Sequence, residues 1–403
     1  MANNGPLSGL RVIDLTSVVL GPMATHMLAD YGADVIKIES ADGDVMRGNG
    51  TRHNNGLSSI FLNINRNKRC LGLDLKRPEA KEVLRDLLRK ADVFVHNMRL
   101  PAIEPLGFSY DEVKAINPGI VYCVGTGYDQ DGPLKDRPAF DDTIQASCGL
   151  VGISSSANSE PKYVSTLVAD KTAGIVLANA VLAALVHKAR HGEGQYVEVP
   201  MFETLVWFTL VEHLGGLAFE GSTAPAGYQR LLEGGRRSMP TKDGHIAILA
   251  YTVKHRKAFF DAVGRPELGA KYGQKANGTI GMYDEIAKFT PEQTTAWWLD
   301  LCEKLDIPAT TIVKLDDLPE HPQLQAVNLF ETHQHPTEGN VRTVRSPVKF
   351  AGTPVGYRLH APQLGEQTRE ILSELGYESA RIDALLGEGA AVAPAPTPTP
   401  TTA

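Results

Sequence analysis

The chain has 403 residues, enough for two or three domains with substantial cores, and its 42% hydrophobic and 22% charged residues are ordinary for a soluble globular protein. A formal net charge of −7 gives no reason to expect nucleic acid as a partner. The four cysteines have no paired spacing, which argues against a disulfide framework and against a zinc site.

The sequence predicts neither a secretory signal nor a membrane-spanning helix. Its first residues do not form a basic region followed by an apolar core, so they predict no secretory signal. The longest uncharged helical run, Thr172–Val186, is shorter than the roughly 20 residues that a bilayer requires. We therefore expect a cytoplasmic protein with no membrane partner.

Strands and helices alternate along the first third of the chain. Leu10–Thr16 is predicted to be a strand, the residues from Gly21 to Leu28 a helix, and Asp34–Glu39 the next strand. A helix that begins at Pro78 lies among three further predicted strands, Cys70–Leu75, Asp92–Asn97 and Ile120–Gly125. This order predicts a Rossmann-like, doubly wound α/β domain with a parallel sheet.

The loop after the first strand carries no dinucleotide-binding fingerprint. Ser17–Pro22 stands where a Gly-x-Gly-x-x-Gly loop would be needed for a nicotinamide or flavin cofactor. Ligands of such sheets collect at the carboxyl ends of the strands. Ser17, Asn97–Arg99 and Gly125–Tyr128 all follow predicted strands, so we expect them to meet at that edge.

Asp170 lies at a junction in the middle of the chain. Val164–Val168 has the alternating apolar pattern of an extended segment, and an Ala- and Leu-rich helix is predicted from Lys171 to about Gly192. A helix start offers unpaired N–H groups and a positive dipole end. Asp170 is therefore either an N-cap, which is the ordinary role, or a carboxylate held ionised for chemistry.

Composition divides the rest of the chain into parts. A Gly-, Pro- and Arg-rich stretch, Glu220–Pro240, is a plausible crossing between domains, and Leu364–Gly376 is the last predicted helix. The end of the chain is only Ala, Val, Pro and Thr, which predicts disorder. We predict a large α/β domain with a smaller inserted α+β domain, divided as follows: 1–200 first part of the large domain, 201–225 linker helix, 226–325 small domain, 326–387 return linker and remainder of the large domain, and 388–403 disordered tail.

A series of short motifs, individually weak, runs in order along nearly the whole chain: Leu7–Thr16, Gly21–Pro22, Leu28–Glu39, Asn65–Lys68, Leu73–Lys76, Asn97–Arg99, Gly132–Pro133, Arg137–Asp141, Gly192–Gln195, Pro322–Gln325 and Ala361–Gly365. In this order they resemble the class III CoA-transferases, the family of formyl-CoA transferase, carnitine CoA-transferase and α-methylacyl-CoA racemase. The resemblance implies an interlocked homodimer that uses acyl-CoA and a small carboxylic acid as substrates. It implies no permanently bound cofactor and no metal.

For Asp170, the resemblance implies the nucleophile and so favours chemistry over the capping role. Asp170 would attack the acyl-CoA carbonyl to form a mixed anhydride and then hold CoA as an aspartyl thioester. By position, the resemblance also implies seven CoA contacts: Ser17, Val18, Leu73, Lys76, Asn97, Met98 and Arg99. Lys76 and Arg99 would serve the phosphates and Met98 the adenine. For Lys76, a solvated charge beside Arg77 is an equal alternative. Arg47 is a weaker candidate for a phosphate or carboxylate.

The identity of the substrate follows less directly from the sequence. Val19 and Ser40 replace a Gln and an Arg of the formyl/oxalyl branch, which argues against oxalate or formate. Gly234–Gly235 with Arg236 and Arg237 is either a domain-crossing loop or a lid whose arginine meets a distal carboxylate. We expect a small dicarboxylate such as succinate as donor or acceptor.

Two other functions remain open. A racemase of the same family needs a His where this chain has Phe140, unless Asp141 or Asp142 takes that role. A non-catalytic CoA-binding protein would bind CoA without a covalent adduct. His333 and His335 indicate a surface loop rather than a metal site, and Trp297 and Trp298 indicate core positions.

Overall fold

The computed structural model describes residues 5–53, 56–153, 160–232, 237–274 and 281–394. The described residues divide into two compact units, a large domain within 1–152, 162–208 and 327–403 and a small domain within 153–161 and 209–326. The large domain is built on a seven-stranded sheet in the order β12-β3-β2-β1-β4-β5-β6. The strands are β1 Arg11–Leu15, β2 Asp34–Glu39, β3 Lys68–Leu73, β4 Val93–His96, β5 Val121–Thr126, β6 Tyr196–Pro200 and β12 Ala391–Val392.

The predicted α/β class and the parallel central sheet are confirmed. β1 to β6 pair in parallel, and only β12 runs antiparallel, against β3. Neighbouring residues of one strand serve opposite faces of the sheet: Val12 belongs to one buried apolar cluster and Ile13 to the other. Both faces are therefore covered by helices, as a parallel sheet requires. The helices that lie in the large domain or begin in it are α1 Leu20–Asp30, α2 Ser59–Asn65, α3 Pro78–Arg89, α4 Leu100–Ile103, α5 Tyr110–Ile116, α6 Asp141–Ser147, α7 Leu150–Ile153, α8 Val168–His191, α9 Met201–His213, α16 Thr368–Glu374 and α17 Ser379–Gly387.

The small domain has its own sheet and core. Its antiparallel strands, in the order β7-β8-β9, are Met239–Pro240, His245–Ile248 and Ala309–Thr311. Its core includes Phe259 and Trp298, whose rings stack with centroids 5.7 Å apart. The prediction that Trp297 is also a core residue is wrong, because its side chain is 41% exposed. The helices here are α10 Gln229–Leu232, α11 Val253–Ala262, α12 Pro266–Gly273, α13 Met282–Phe289, α14 Thr295–Lys304 and α15 Pro322–Ala326.

The C-terminal part departs from the sequence prediction. The helix predicted over Leu364–Gly376 is shorter in the structure, where it is α16, Thr368–Glu374. A further helix, α17, follows it and was not predicted. The predicted disorder of 388–403 is wrong at Ala391–Val392, because β12 supplies hydrogen bonds to the edge of β3 and covers it. Residues 395–403 lie outside the described part. His333 and His335 lie in a hairpin, β10 Phe330–His335 with β11 Gly339–Val344, rather than in a loop.

The start of α8 also differs from the prediction. Val164–Val168 forms no strand, and the helix begins at Val168 rather than Lys171. The N-cap position is Leu167, so Asp170 is the third helical residue and not the cap. In the described part, α8 is the one helix that is long and apolar enough to span a membrane, and a third of its most apolar window is buried. It carries Asp170 and packs against α1 and β5, as a core helix does.

The Asn65–Lys68 motif is structural. Lys68, fully buried, donates from Nζ to the Asp14 carboxylate at 3.0 Å and to Asn65 Oδ1 at 2.9 Å. Arg66 forms a two-bond ion pair with Asp30. Asn67 accepts two backbone N–H groups of the C-terminal segment, so the motif anchors that segment to the sheet. Burial lowers the pKa of Lys68 to about 8, although the Asp14 charge opposes this shift.

We predict that Lys68→Met lowers the free energy of unfolding by about 3 kcal/mol, because it leaves the buried Asp14 carboxylate without its closest cation. Urea titration followed by circular dichroism measures this. Lys90→Met, at an exposed lysine that ends α3, is the matched control and should change stability by less than about 0.5 kcal/mol. Equal losses in the two variants would contradict the structural role of Lys68.

Candidate active site

A cavity of about 350 Å³ opens at the carboxyl ends of β1, β4 and β5. We call it the Asp170 cavity. This is the sheet edge where parallel α/β folds bind ligands. Its lining includes Asp170 and five of the seven predicted CoA contacts, Ser17, Val18, Asn97, Met98 and Arg99. The other lining residues are Leu20, Gly125–Gly127, Gln130, Lys135, Arg137, Pro138–Ala139, Phe140 and Met201.

Close packing of α8 against α1 brings Asp170 into this cavity. Gly174 lies one helical turn after Asp170, on the same face of α8. A Cβ atom at Gly174 would stand 2.7 Å from the Leu20 carbonyl oxygen, closer than real contacts allow. Glycine therefore lets α8 approach the start of α1, and that approach sets Asp170 beside the Ser17–Val18 turn.

The first turn of α8 is capped by Asp141, from α6. One carboxylate oxygen of Asp141 accepts the backbone N–H groups of Ala169 and Asp170, at 2.7 and 3.0 Å. The other accepts from Gln145 Nε2 at 2.5 Å. Asp141 is thus a buried carboxylate engaged through both oxygens, which argues against its use as the second acid/base of a racemase.

Asp170 itself is buried, at 8% exposure, and its carboxylate has no hydrogen-bond partner among the described residues. Burial raises its pKa to about 7, and the nearby negative charges of Asp141 and Asp142 contribute to this rise. The position in the first helical turn favours the ionised form but does not outweigh these two effects. The result is a carboxylate of raised basicity that lines the cavity, rather than a capping group.

A second cavity, of about 380 Å³, lies alongside at the ends of β2 and β3. We call it the β3 cavity. Ser17 and Met98 line both cavities, so the two share a wall. Leu73 and Lys76, the remaining predicted CoA contacts, line the β3 cavity. All seven predicted positions therefore face one of two adjoining cavities at a single edge of the sheet.

Individual contacts refine these positions. The Asn97 amide forms two hydrogen bonds with Ser17: Oδ1 accepts the Ser17 N–H at 2.9 Å and Nδ2 donates to the Ser17 carbonyl at 2.8 Å. Arg99 donates to the Asp136 carbonyl and remains exposed. Lys76 is exposed on the β3 cavity, a position that suits a phosphate contact and a solvated charge equally.

Sequence reasoning missed part of the cavity lining. Gln130, Lys135 and Arg137 contribute polar and cationic groups to the lining of the Asp170 cavity. The signal was present, because Arg137 opens one of the family motifs and all three follow β5. The motif that Arg137 opens indicated the family, but no binding role was predicted for its residues.

Of the two weaker candidates, Arg47 has a structural role, and the predicted lid lies mostly outside the described residues. Arg47 pairs through two bonds with Glu39, donates to the Pro362 carbonyl and lies over the Phe61 ring, so it is a structural residue. Gly234, Gly235 and Arg236 of the predicted lid lie outside the described residues. Arg237 is described and pairs with Asp284 at 3.1 Å. In the described part of the chain, no cluster of His, Cys, Asp or Glu could hold a metal ion.

Comparison with known proteins gives a consistent result. The family model described as CoA-transferase family III matches residues 7–368. The chain is 30% identical to the succinate–glutarate CoA-transferase of Agrobacterium fabrum, over 92% of this chain and 96% of that protein. It is 31% identical to the succinyl-CoA:mesaconate CoA-transferase of Haloarcula marismortui, over 93% of this chain and 98% of that protein.

Solved structures of similar proteins agree in fold. A protein from Mycobacterium tuberculosis superposes with a TM-score of 0.80 at 27% identity, over 91% of this chain and 99% of that one. A CAIB/BAIF family protein from Brucella suis superposes with a TM-score of 0.78 at 26% identity, over 92% of this chain and all of that one.

The raised pKa of Asp170 has a consequence for stability. In the unfolded chain this carboxyl ionises near pH 4, whereas in the folded protein it ionises near 7. Folding therefore costs progressively more as pH rises from 4 to 7 and a constant amount above 7. We predict that Asp170→Asn raises the melting temperature relative to the wild type, by an amount that grows between pH 5 and 7 and then levels off. Calorimetry over this range measures it.

Asp141→Asn provides the companion test. It removes a negative charge near Asp170 but keeps an oxygen that can cap α8, so the pKa of Asp170 should fall. A 13C-NMR titration of the Asp170 carboxyl should show the lower midpoint. An unchanged midpoint in Asp141→Asn, or a wild-type midpoint near 4, would contradict the electrostatic account.

Proposed function

Because the chain belongs to CoA-transferase family III, we propose that it moves CoA from succinyl-CoA, or a closely related acyl-CoA, to a small carboxylic acid through covalent intermediates on Asp170. The observation that supports this most is the buried Asp170 carboxylate, which faces a cavity, has no hydrogen-bond partner among the described residues and has a raised pKa. A carboxylate with this basicity, once ionised, is a better nucleophile than an exposed one.

The proposed reaction needs only the exchange of acyl groups. The Asp170 oxygen attacks the thioester carbonyl, a C–O bond forms, and the C–S bond breaks to release CoA thiolate. The thiolate then attacks the Asp170 carbonyl of the mixed anhydride, which releases the donor acid and leaves an aspartyl-CoA thioester. The acceptor carboxylate reverses these steps, and Asp170 is regenerated. A thioester and a carboxylate stand on both sides, so the enzyme mainly supplies positioning.

The two adjoining cavities suit the parts of the substrate. We propose that the Asp170 cavity takes the acyl group and thioester, and that the β3 cavity takes CoA farther from the thioester. Ser17, Val18, Leu73, Lys76, Asn97, Met98 and Arg99 are the proposed CoA contacts. Lys135 and Arg137 add positive charge near the reacting carboxylates.

The choice of succinyl-CoA rests on the relatives. The Agrobacterium and Haloarcula relatives, both covered over more than nine-tenths of their length, carry names in which a succinate or succinyl-CoA is one substrate. A racemase remains less well supported, since Phe140 cannot transfer a proton and both oxygens of Asp141 are engaged.

The test is a panel of acyl-CoA donors against carboxylate acceptors, followed by mass spectrometry. We predict transfer from succinyl-CoA in the wild type and a loss of at least about 10⁴-fold in Asp170→Ala, which lacks the nucleophile. Hydroxylamine should trap the acylated enzyme on the peptide that contains Asp170. Rapid proton exchange at the α-carbon without CoA transfer would favour a racemase, and CoA binding without transfer or adduct would favour a non-catalytic protein.

We further propose a homodimer, located in the cytoplasm. The large domain leaves several large apolar side chains exposed on α8 and α9, with exposed fractions of 49% for Ile175, 51% for Val186 and 64% for Trp207. Such exposure on long helices is typical of a surface covered by another subunit.

We predict that Trp207→Glu shifts the protein from dimer to monomer in size-exclusion chromatography with light scattering, because a charge would be buried in the interface. Trp297→Glu, at an exposed tryptophan of the small domain, is the control and should leave the mass unchanged. A wild type that runs as a monomer would contradict the homodimer.

A further inference from the structure

A strained backbone turn, Ser17–Val18, lines the Asp170 cavity, and its Ser17 also lines the β3 cavity. Val18 has a φ of +70°, in the left-handed region, where a β-branched residue is unfavourable. The other non-glycine residues with positive φ in the described chain are Asn67, Asp306 and Asn328, which are residue types that tolerate this conformation. Strain of this kind persists only where surrounding contacts enforce it.

Three side chains, each from a different part of the sheet edge, enforce it. Lys37 Nζ, from β2, donates to the Thr16 carbonyl at 2.8 Å. Asn97, after β4, braces Ser17 through two bonds. Asp44 Oδ1 accepts the Val18 N–H itself, at 3.2 Å. Each residue of the turn therefore has its own anchor.

Asp44 is itself held firmly. Its second oxygen accepts from Lys37 Nζ at 3.0 Å, and its first also accepts from Met46 N at 3.0 Å. Its own N–H donates to Glu39 at 2.7 Å. Lys37 is fully buried and Asp44 is 5% exposed, so water competes little for these bonds. These bonds hold the Asp44 carboxylate in place, and that carboxylate accepts the N–H of Val18, the residue whose backbone is strained.

We propose that Asp44 is a positioning residue for CoA transfer: by holding the Val18 N–H, its carboxylate keeps the Ser17–Val18 turn in the strained conformation that shapes the cavity wall facing Asp170. This rests on the proposed function. Without Asp44, the turn relaxes toward negative φ and the wall moves relative to Asp170. Small displacements of this kind lower the rate of acyl transfer more than the binding of substrate.

A double-mutant cycle tests this mechanism of action. Asp44→Ala should lower kcat by about 100-fold and change KM by less than about threefold. The acid limb of the pH–rate profile, which reports ionisation of Asp170, should stay in place. Glycine adopts positive φ without strain. In a Val18→Gly background, Asp44→Ala should therefore lower kcat by less than about threefold relative to Val18→Gly alone.

One control variant separates the effect of Asp44 from a general effect of substitutions in its loop. Asp42→Ala, in the same loop but exposed, should retain wild-type kcat. An equal loss from Asp44→Ala in the wild-type and Val18→Gly backgrounds would overturn the proposal, as would an unchanged kcat in Asp44→Ala. A shifted acid limb would also overturn it, because Asp44 would then act on the charge of Asp170.

A second readout separates this inference from the proposed function. Hydrogen–deuterium exchange of the peptide that contains Val18 should be at least about tenfold faster in Asp44→Ala than in the wild type or Asp42→Ala. If no donor gives CoA transfer in the wild type, the proposed function fails, and this exchange measurement still decides whether Asp44 holds the turn. Unchanged exchange would overturn the inference by itself.

Discussion

The position of Asp170 in the candidate active site depends on the close approach of two helices, α8 and α1, on one face of the sheet. Gly174 permits the contact, because any side chain there would collide with the Leu20 carbonyl. One turn earlier on the same face of α8, Asp170 is thereby buried next to the turn that precedes α1. Burial and the neighbouring carboxylates then raise its pKa. The packing of α8 on α1 thus sets the location and the burial of the carboxyl group, and the neighbouring Asp141 and Asp142 add to the rise of its pKa.

Around the contact between α8 and α1, buried charged groups have structural roles in addition to the proposed ligand binding. Lys37 and Lys68, both fully buried, hold Asp44 and Asp14 beneath the carboxyl edge of the sheet. Asp141 satisfies the N–H groups that begin α8 and leaves the Asp170 carboxylate free of that task. Buried ion pairs often add little net stability but fix one geometry. Here the Lys37–Asp44 pair holds the carboxylate that accepts the Val18 N–H.

Much of the fold could be predicted from the sequence, because local patterns determine it. The apolar strands that alternate with helices indicated the parallel sheet, and Pro78 with its regular apolar spacing marked α3. The pairing of Ala391–Val392 with β3 could not be predicted, because it depends on a long-range contact of a segment with disorder-like composition. Asp170 was placed at a helix start, but its cap, Asp141, lies 29 residues away and has no local signal. The strain at Val18 is likewise invisible in sequence, since its anchors come from separate parts of the chain.

The central claim is that CoA transfer passes through the carboxyl group of Asp170. It is tested most directly by turnover with an acceptor acid whose carboxylate carries heavy oxygen. Each pass through the second anhydride leaves one acceptor oxygen on the aspartate, so the account predicts that the peptide containing Asp170 becomes heavier by about 2 Da per exchanged oxygen. Efficient transfer with no heavy oxygen in that peptide would contradict the account.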